Sequence, residues 1–361
     1  MIKQLIQACA FAIVLTPPSL ANEAMPERQV QQLATIFRQA RAPGMVAVIV
    51  NGERSYFAAF GQAKADRAAA PTPTSLLRLN SLSKLMAGEI LAGLVAHNRL
   101  ALDRPLQQFA PPGRKVPAFR RARAITLRDL LTHVSGLPRD LPSSLAQVTL
   151  GERWHWLERL RPLRAPGHTA QYSNAAYMFL GDALVAETGT RYEALLSAHV
   201  TAPLSLRDTT LAPAAEQCAR LMSGGQPDDR ACTPAFETAA TAGVYSTAQD
   251  MAHWMRARLN VDAPSLAPIV NRSELKRLIA MDMAGRIEAI GFGWLHMRLG
   301  TLRVIQKTGG GGGFMNYVIL APSRKLGIFI TVTRTDIEML RRITAQTNAL
   351  MTELAAAPLQ P

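Results

Sequence analysis

Three short motifs along the chain contain the residue types of an acyl-transfer site. In order, they are Ser81-Leu82-Ser83-Lys84, Tyr172-Ser173-Asn174 and Lys307-Thr308-Gly309. A serine hydroxyl can form a covalent acyl ester when a neighbouring base accepts its proton, and lysine or tyrosine can supply that base. Each motif is weak by itself, but the three together predict serine-based acyl transfer.

The first motif places a nucleophile and a base on one helical face. Ser81 follows the apolar run 76–79 and opens a predicted helix, where free backbone N–H groups favour developing negative charge. Lys84 lies three residues further on, and desolvation near another cation could leave it neutral enough to accept the serine proton. The same spacing in Ser273-Glu274-Leu275-Lys276 follows polar residues and is interpreted as a surface helix, so spacing alone does not define the site.

The second motif lies in a predicted loop before a helix that starts near Ala175. A tyrosine between two lysines is expected to have a lowered pKa, so Tyr172 could relay protons to the leaving group. The Asn174 amide could hydrogen-bond a substrate carbonyl. A second interpretation, compatible with the first, is that Ser173 or Asn174 caps the helix.

The third motif ends a predicted strand and runs into four more glycines, 310–313. Neither a helix nor a Ser/Thr residue follows Gly313, so a phosphate-binding loop does not fit. We expect a bare strand edge on which a substrate backbone lies, with Lys307 binding a substrate carboxylate. The histidines show no metal-ligand spacing and are interpreted as structural, so we expect neither metal nor cofactor; they are His97, His133, His155, His168, His199, His253 and His296.

Strand patterns at both ends of the chain enclose a mostly helical middle. Strands are predicted at 45–50 and 55–60, and again at 292–297, 302–307, 314–320 and 327–332. Helical patterns cover 27–41, 83–97, 127–132, 175–188, 191–200, 248–259 and 337–354. We therefore predict an α/β fold with one antiparallel sheet built from both termini and flanked by helices. The sheet lobe would comprise 22–80 and 285–361, the inserted helical lobe 81–284, and the active site would lie between them.

The first 21 residues have the pattern of a cleaved export signal. Lys3 precedes an apolar stretch at 6–15 that is too short to span a bilayer, and Ser19-Leu20-Ala21 suits cleavage near Ala21. Cleavage would remove Cys9 and leave Cys218 and Cys232. An even pair in an exported protein predicts a disulfide, with two free thiols as the alternative.

The chain is basic, with a formal net charge of +14 and a cluster of cations at 114–123. No nucleic-acid-binding motif accompanies this charge, so nucleic acid is a poor explanation for it. Contact with an anionic membrane or envelope surface fits better. A solubilising surface explains the charge equally well.

With the three motifs in register, the chain resembles the serine β-lactamase and penicillin-binding superfamily, specifically its class C branch. The resemblance covers nearly all of the mature chain and includes the stretches 125–138, 203–210 and 243–251. The run 305–314 and the cysteine pair look most like the AmpH-type penicillin-binding proteins. This implies a periplasmic D-alanyl-D-alanine carboxypeptidase and endopeptidase acting on peptidoglycan peptides, which binds β-lactams and hydrolyses them weakly at most.

The resemblance also implies a role for each motif residue. Ser81 would be the nucleophile, Lys84 and Tyr172 the proton-handling pair, and Asn174 a substrate contact. Lys307 and Thr308 would bind the carboxylate, and the backbone N–H groups of Ser81 and Gly310 would form the oxyanion hole. Asn80 departs from the small residue common before the nucleophile, and could cap the helix or crowd the site.

Three alternatives remain open at this point. A class C β-lactamase would form the same acyl-enzyme and differ only in the rate of its hydrolysis. A family esterase often carries histidine in place of Lys307. A non-catalytic penicillin sensor is disfavoured because Ser81, Lys84, Tyr172 and Lys307 are all present.

Overall fold

A computed structural model of the chain describes residues 24–66, 68–142, 149–161, 164–260, 262–279 and 286–356. The predicted signal peptide at 1–21 lies outside these residues. The helices are α1 Glu27–Ala40, α2 Ser83–Ala96, α3 Leu127–Leu131, α4 Leu150–Arg159, α5 Asn174–Thr188, α6 Tyr192–Leu196, α7 Ala215–Ala219, α8 Ala248–Leu259 and α9 Ile337–Ala356. The strands are β1 Gly44–Asn51, β2 Arg54–Gly61, β3 Leu76–Arg78, β4 Thr169–Gln171, β5 Tyr245–Thr247, β6 Val270–Asn271, β7 Arg277–Ile279, β8 Arg286–Gly291, β9 Trp294–Leu299, β10 Leu302–Gly311, β11 Phe314–Ala321 and β12 Leu326–Val332.

One large antiparallel sheet joins the two ends of the chain. Its strand order is β2-β1-β12-β11-β10-β9-β8-β6, so N-terminal β1 pairs directly with C-terminal β12. In this register Val48 lies opposite Phe329. The predicted α/β fold with a sheet built from both termini is confirmed. One detail differs, because the edge strand β6 comes from the segment assigned to the helical lobe.

The sheet separates two hydrophobic cores. Successive side chains of a strand point to opposite faces, so Val46, Val48 and Val50 enter one core while Met45, Ala47 and Ile49 enter the other. Helix α8 packs on the first face, and α1 and α9 pack on the second. The first core continues into the helical segments around α2, whose side chains are buried on nearly every side. A helix buried all round places even a polar side chain, such as Lys84, out of water.

Two local predictions need correction. β10 continues through Gly309 to Gly311, and the hairpin turn uses only Gly312 and Gly313, both with positive φ (56° and 85°). Ser273 lies in a short 3₁₀ turn rather than in a surface helix.

Cys218 and Cys232 form the predicted disulfide, with their Cα atoms 5.7 Å apart. Among the described residues, no helix is long and apolar enough to cross a bilayer.

Candidate active site

Ser81 lies in a 3₁₀ turn, Asn80–Leu82, that connects β3 to α2. Asn80 has a left-handed backbone, with φ of +50°, a conformation that asparagine adopts more readily than most residues. Its side-chain amide donates a hydrogen bond to the Gly311 carbonyl at 2.9 Å and makes no helix-cap bond. The suggestion that Asn80 caps the helix is therefore wrong, because its amide instead ties the Ser81 turn to the end of β10.

Asn316 on β11 holds the same turn from beneath. Its fully buried amide nitrogen donates to the carbonyls of Arg78 and Leu79, at 3.0 and 3.2 Å, and its oxygen accepts a hydrogen bond from Thr331 Oγ1 at 2.6 Å. Sequence reasoning missed this residue. The available signal was a single amide inside an otherwise apolar strand, which must find buried partners.

Gly309 allows β10 to approach the turn closely. A Cβ atom added at this position would lie 2.5 Å from the Leu79 carbonyl oxygen and 3.1 Å from the Ser81 backbone nitrogen. Neither backbone group can rotate away as a side chain could. The glycine of the third motif is therefore needed for the contact between strand and nucleophile turn, and not only for a bare substrate-facing edge.

Lys84 is fully buried beside Ser81. Its Nζ donates to Asn174 Oδ1 at 2.7 Å and to the Thr241 carbonyl at 2.8 Å, and lies 3.5 Å from Ser81 Oγ. Burial, helped by the charge of Lys307, lowers the pKa of Lys84 well below its ordinary value. The direction agrees with the sequence prediction, since a neutral amine can accept the serine proton.

Tyr172 contacts the same serine oxygen. Its hydroxyl donates to Ser81 Oγ at 2.7 Å, and its ring centre lies 5.0 Å from Nζ of both Lys84 and Lys307. Burial nevertheless raises the pKa of Tyr172 to about 12, so the expected lowering is wrong. Desolvation disfavours the phenolate more than the surrounding cations stabilise it. Tyr172 is therefore protonated near neutral pH.

Asn174 is the first residue of α5, and Ser173 is the helix cap. The Ser173 hydroxyl accepts a hydrogen bond from the Ala176 N–H at 2.9 Å. The Asn174 oxygen accepts from Lys84, while its nitrogen donates to Asp140 Oδ1 at 2.5 Å. The Asn174 amide thus holds Lys84 in place and links it to Asp140.

Lys307, Thr308 and Gly310 line a cavity of about 390 Å³ together with Ser81 and Tyr172. Within the described part of the chain, β10 pairs with β9 only at 302–306, which leaves the edge at 307–311 unpaired on that side. Burial lowers the pKa of Lys307 to about 7. The charged residues that line this cavity are Arg139, Lys307 and Arg341, all cationic, so the cavity favours an anionic ligand.

The fold therefore brings together all six side chains predicted from the motifs. Ser81 and Tyr172, in hydrogen-bond contact, are 91 residues apart in the chain. Across the described ranges, no group of three or more His, Cys, Asp or Glu side chains is arranged to hold a metal ion. The arrangement has a hydroxyl, a desolvated amine, a protonated phenol and a cationic strand edge, and these define a serine hydrolase that works through an acyl ester.

Comparison with known proteins places this chain in a family. The Beta-lactamase family profile matches residues 27–351. The D-alanyl-D-alanine-carboxypeptidase/endopeptidase AmpH of Escherichia coli K12 is 36% identical over 339 residues, covering 89% of this chain and 87% of that protein. The chain belongs to the Beta-lactamase family, as a serine hydrolase similar to AmpH.

Solved structures agree with this assignment. The beta-lactamase/D-alanine carboxypeptidase of Yersinia pestis, crystallised with citrate, superposes with a TM-score of 0.83 at 34% identity, covering 90% of this chain and 98% of that one. A class C beta lactamase from Rhodobacter sphaeroides superposes with a TM-score of 0.74 at 20% identity, over the same shares of the two chains. The second match concerns the fold alone.

Proposed function

We propose that this protein is a serine D-alanyl-D-alanine carboxypeptidase and endopeptidase that cleaves peptidoglycan peptides through an acyl-enzyme. The observation that carries the proposal is the contact of one serine oxygen with a phenol at 2.7 Å and a fully buried amine at 3.5 Å. The similarity to AmpH, named for this activity, supports the choice of substrate.

Acylation uses Lys84 as the base and then Tyr172 as the acid. Neutral Lys84 takes the proton of Ser81 as its Oγ attacks the carbonyl carbon of the scissile amide. The resulting oxyanion accepts hydrogen bonds from the backbone N–H groups of Ser81 and Gly310. When the carbon–nitrogen bond breaks, Tyr172 donates its proton to the leaving amine and recovers one from the Lys84 ammonium. The products are an acyl ester on Ser81 and a free amine.

Substrate orientation depends on the unpaired edge of β10. Lys307 and Thr308 bind the carboxylate next to the leaving amine, and the peptide backbone extends along 307–311. The Asn174 amide contacts the acyl donor and keeps Lys84 in position. Water then attacks the ester with neutral Lys84 as its base, and Tyr172 returns a proton to Ser81 Oγ as the ester bond breaks and regains one from the Lys84 ammonium. No Asp or Glu is among the described residues that line the cavity, so the same pair serves both half-reactions.

Two enzymes of the same class are the rival candidates. A class C β-lactamase would hydrolyse a penicilloyl ester rapidly, whereas we propose weak β-lactam hydrolysis at most. A family esterase would not require the carboxylate contact of Lys307. A penicillin sensor without catalysis is disfavoured by the buried, low-pKa Lys84 beside Ser81.

The test is labelling of the purified protein with a fluorescent penicillin, together with D-alanine release from muropeptides. We expect a persistent adduct and D-alanine release in the wild type, and neither in Ser81→Ala. Tyr172→Phe removes the hydroxyl that contacts Ser81 and should slow acylation by about 10²- to 10⁴-fold. Rapid decay of the adduct without D-alanine release would favour a β-lactamase, and absence of any adduct would reject the proposal.

We further propose that the protein acts in the periplasm after removal of residues 1–21. N-terminal sequencing of the mature protein should then begin near Asn22. The basic cluster is a candidate for contact with an anionic membrane or envelope surface, although Arg114 and Arg123 are already paired with Glu158 and Asp129. Replacing Lys115, Arg120 and Arg121 by glutamine should weaken salt-sensitive binding to anionic vesicles or to purified sacculi. Unchanged binding would leave the cluster a solubilising surface.

A further inference from the structure

His133 holds the catalytic tyrosine segment at three points. Its carbonyl accepts a hydrogen bond from the Gln171 N–H at 2.8 Å, and its Nδ1 accepts one from the Ser173 N–H at 3.1 Å. Its ring packs against the ring of Tyr172, with centres 4.7 Å apart. The residues before and after Tyr172, and Tyr172 itself, are therefore all fixed by one side chain and its own carbonyl.

This arrangement is costly for His133 itself. Its backbone is left-handed, with φ of +61°, a conformation that is uncommon and somewhat strained for residues other than glycine, although histidine adopts it more often than most. Because Nδ1 accepts a hydrogen bond, the proton of the neutral imidazole lies on Nε2. Nε2 is buried and has no hydrogen-bond partner among the described residues. Strain and an unsatisfied donor in one residue are retained mainly where they serve a function.

The surroundings keep the imidazole neutral. Its ring also packs on Tyr177, with centres 5.1 Å apart, and it is 2% exposed. The titratable groups that act on it are all basic: Lys307, Lys84 and Arg139. Burial first, and then these charges, lower the pKa of His133 well below its ordinary value. A neutral ring can keep accepting from Ser173, whereas a protonated one would lose that bond and add a positive charge beside Lys307 and Arg139.

We propose that His133 is a positioning residue for Tyr172. It touches neither substrate nor Ser81, and acts by holding the 171–173 backbone so that the Tyr172 hydroxyl reaches the serine oxygen. The inference rests on the proposed function only in its use of D-alanine release as the readout. It predicts a defect in the chemical step with substrate binding nearly intact, because Lys307, Thr308 and Asn174 are not held by the 133 side chain.

The experiment compares two replacements of His133. His133→Phe keeps a ring but removes the acceptor for Ser173 N–H. His133→Asn places an amide oxygen where Nδ1 was and accepts a left-handed backbone readily. We expect His133→Phe to lower kcat for D-alanine release by about 10- to 100-fold, as for a misplaced catalytic group, with KM changed little. His133→Asn should recover most of the loss.

A destabilised control separates positioning from stability. Trp254 of α8 donates a buried hydrogen bond to Glu89 of α2 at 2.8 Å, and neither residue lines the cavity. Trp254→Phe removes this bond and should lower the melting temperature while leaving kcat unchanged. The proposal is overturned if folded His133→Phe has wild-type kcat, or if His133→Asn is as impaired as His133→Phe. Should His133→Phe not fold, wild-type kcat in His133→Ala would equally overturn it. If the wild type itself is not acylated by penicillin, the proposed function fails instead, which is a separate result.

Discussion

The pH dependence of carboxylate recognition should follow the charge of Lys307. The side chain is 4% exposed, and burial lowers its pKa to about 7. Lys307 therefore carries its charge below that pH and loses it as the pH rises through 7. In the free enzyme this loss should appear as a falling alkaline limb of kcat/KM, since kcat/KM reports the ionisations of free enzyme.

The expected size of the effect follows from the pKa. At one pH unit above the pKa of Lys307, about one-tenth of the molecules retain the Lys307 charge. The value of kcat/KM should therefore fall about tenfold per pH unit between pH 8 and 9. Lys307→Arg keeps its charge throughout this range, because a guanidinium does not titrate below about pH 12. The falling limb should then disappear, whatever the absolute rate of the variant.

The assay is D-alanine release from a peptide that ends in D-alanyl-D-alanine, measured from pH 6 to 9 in wild type, Lys307→Arg and Lys307→Gln. Lys307→Gln should be slow and flat with pH, because it never carries a charge. A substrate with an amidated carboxyl terminus should show no falling limb in the wild type. A wild-type profile flat between pH 7 and 9, or an identical limb in Lys307→Arg, would refute the assignment of the limb to Lys307.

Two further predictions concern stability. Replacing Cys218 and Cys232 by serine opens a loop with a sequence separation of 14, and should lower the free energy of unfolding by about 3 kcal/mol in denaturant titrations; a midpoint equal to that of the wild type would contradict this. Gly309→Ala forces a Cβ against the Leu79 carbonyl and should cost about 1–3 kcal/mol together with much of the acylation rate. Gly151→Ala, which meets nothing within 4 Å in α4, is the matched control and should be neutral or slightly stabilising. Equal melting temperatures for these two variants would show that the strand-to-turn contact tolerates a methyl group.

Local patterns predicted most of the fold. The apolar runs at 45–50 and 55–60 correspond to β1 and β2, and the Asn51-Gly52 pair between them favours a hairpin turn. Such signals depend only on neighbouring residues. The predicted boundaries are wrong where tertiary pairing, rather than local sequence, decides the backbone conformation. The predicted strand 302–307 ends too early, because a run of glycines is typical of a turn. In the structure, pairing with β11 keeps the chain extended through Gly311. Helix α4, which begins with a capping box of Thr149 and Glu152, and strand β8 are not predicted either.

The sequence by itself determined which reactive groups the protein has and the order in which they occur. It could not give the environment of those groups, because desolvation depends on every element that surrounds a side chain. That is why the pKa of Tyr172 was predicted in the wrong direction, and why the buried partners of Asn316 and His133 went unseen. Only the folded chain decides that the Tyr172 phenol reaches the same Ser81 oxygen that Lys84 approaches from α2, since this contact between distant segments requires the sheet, α2 and α5 to pack together.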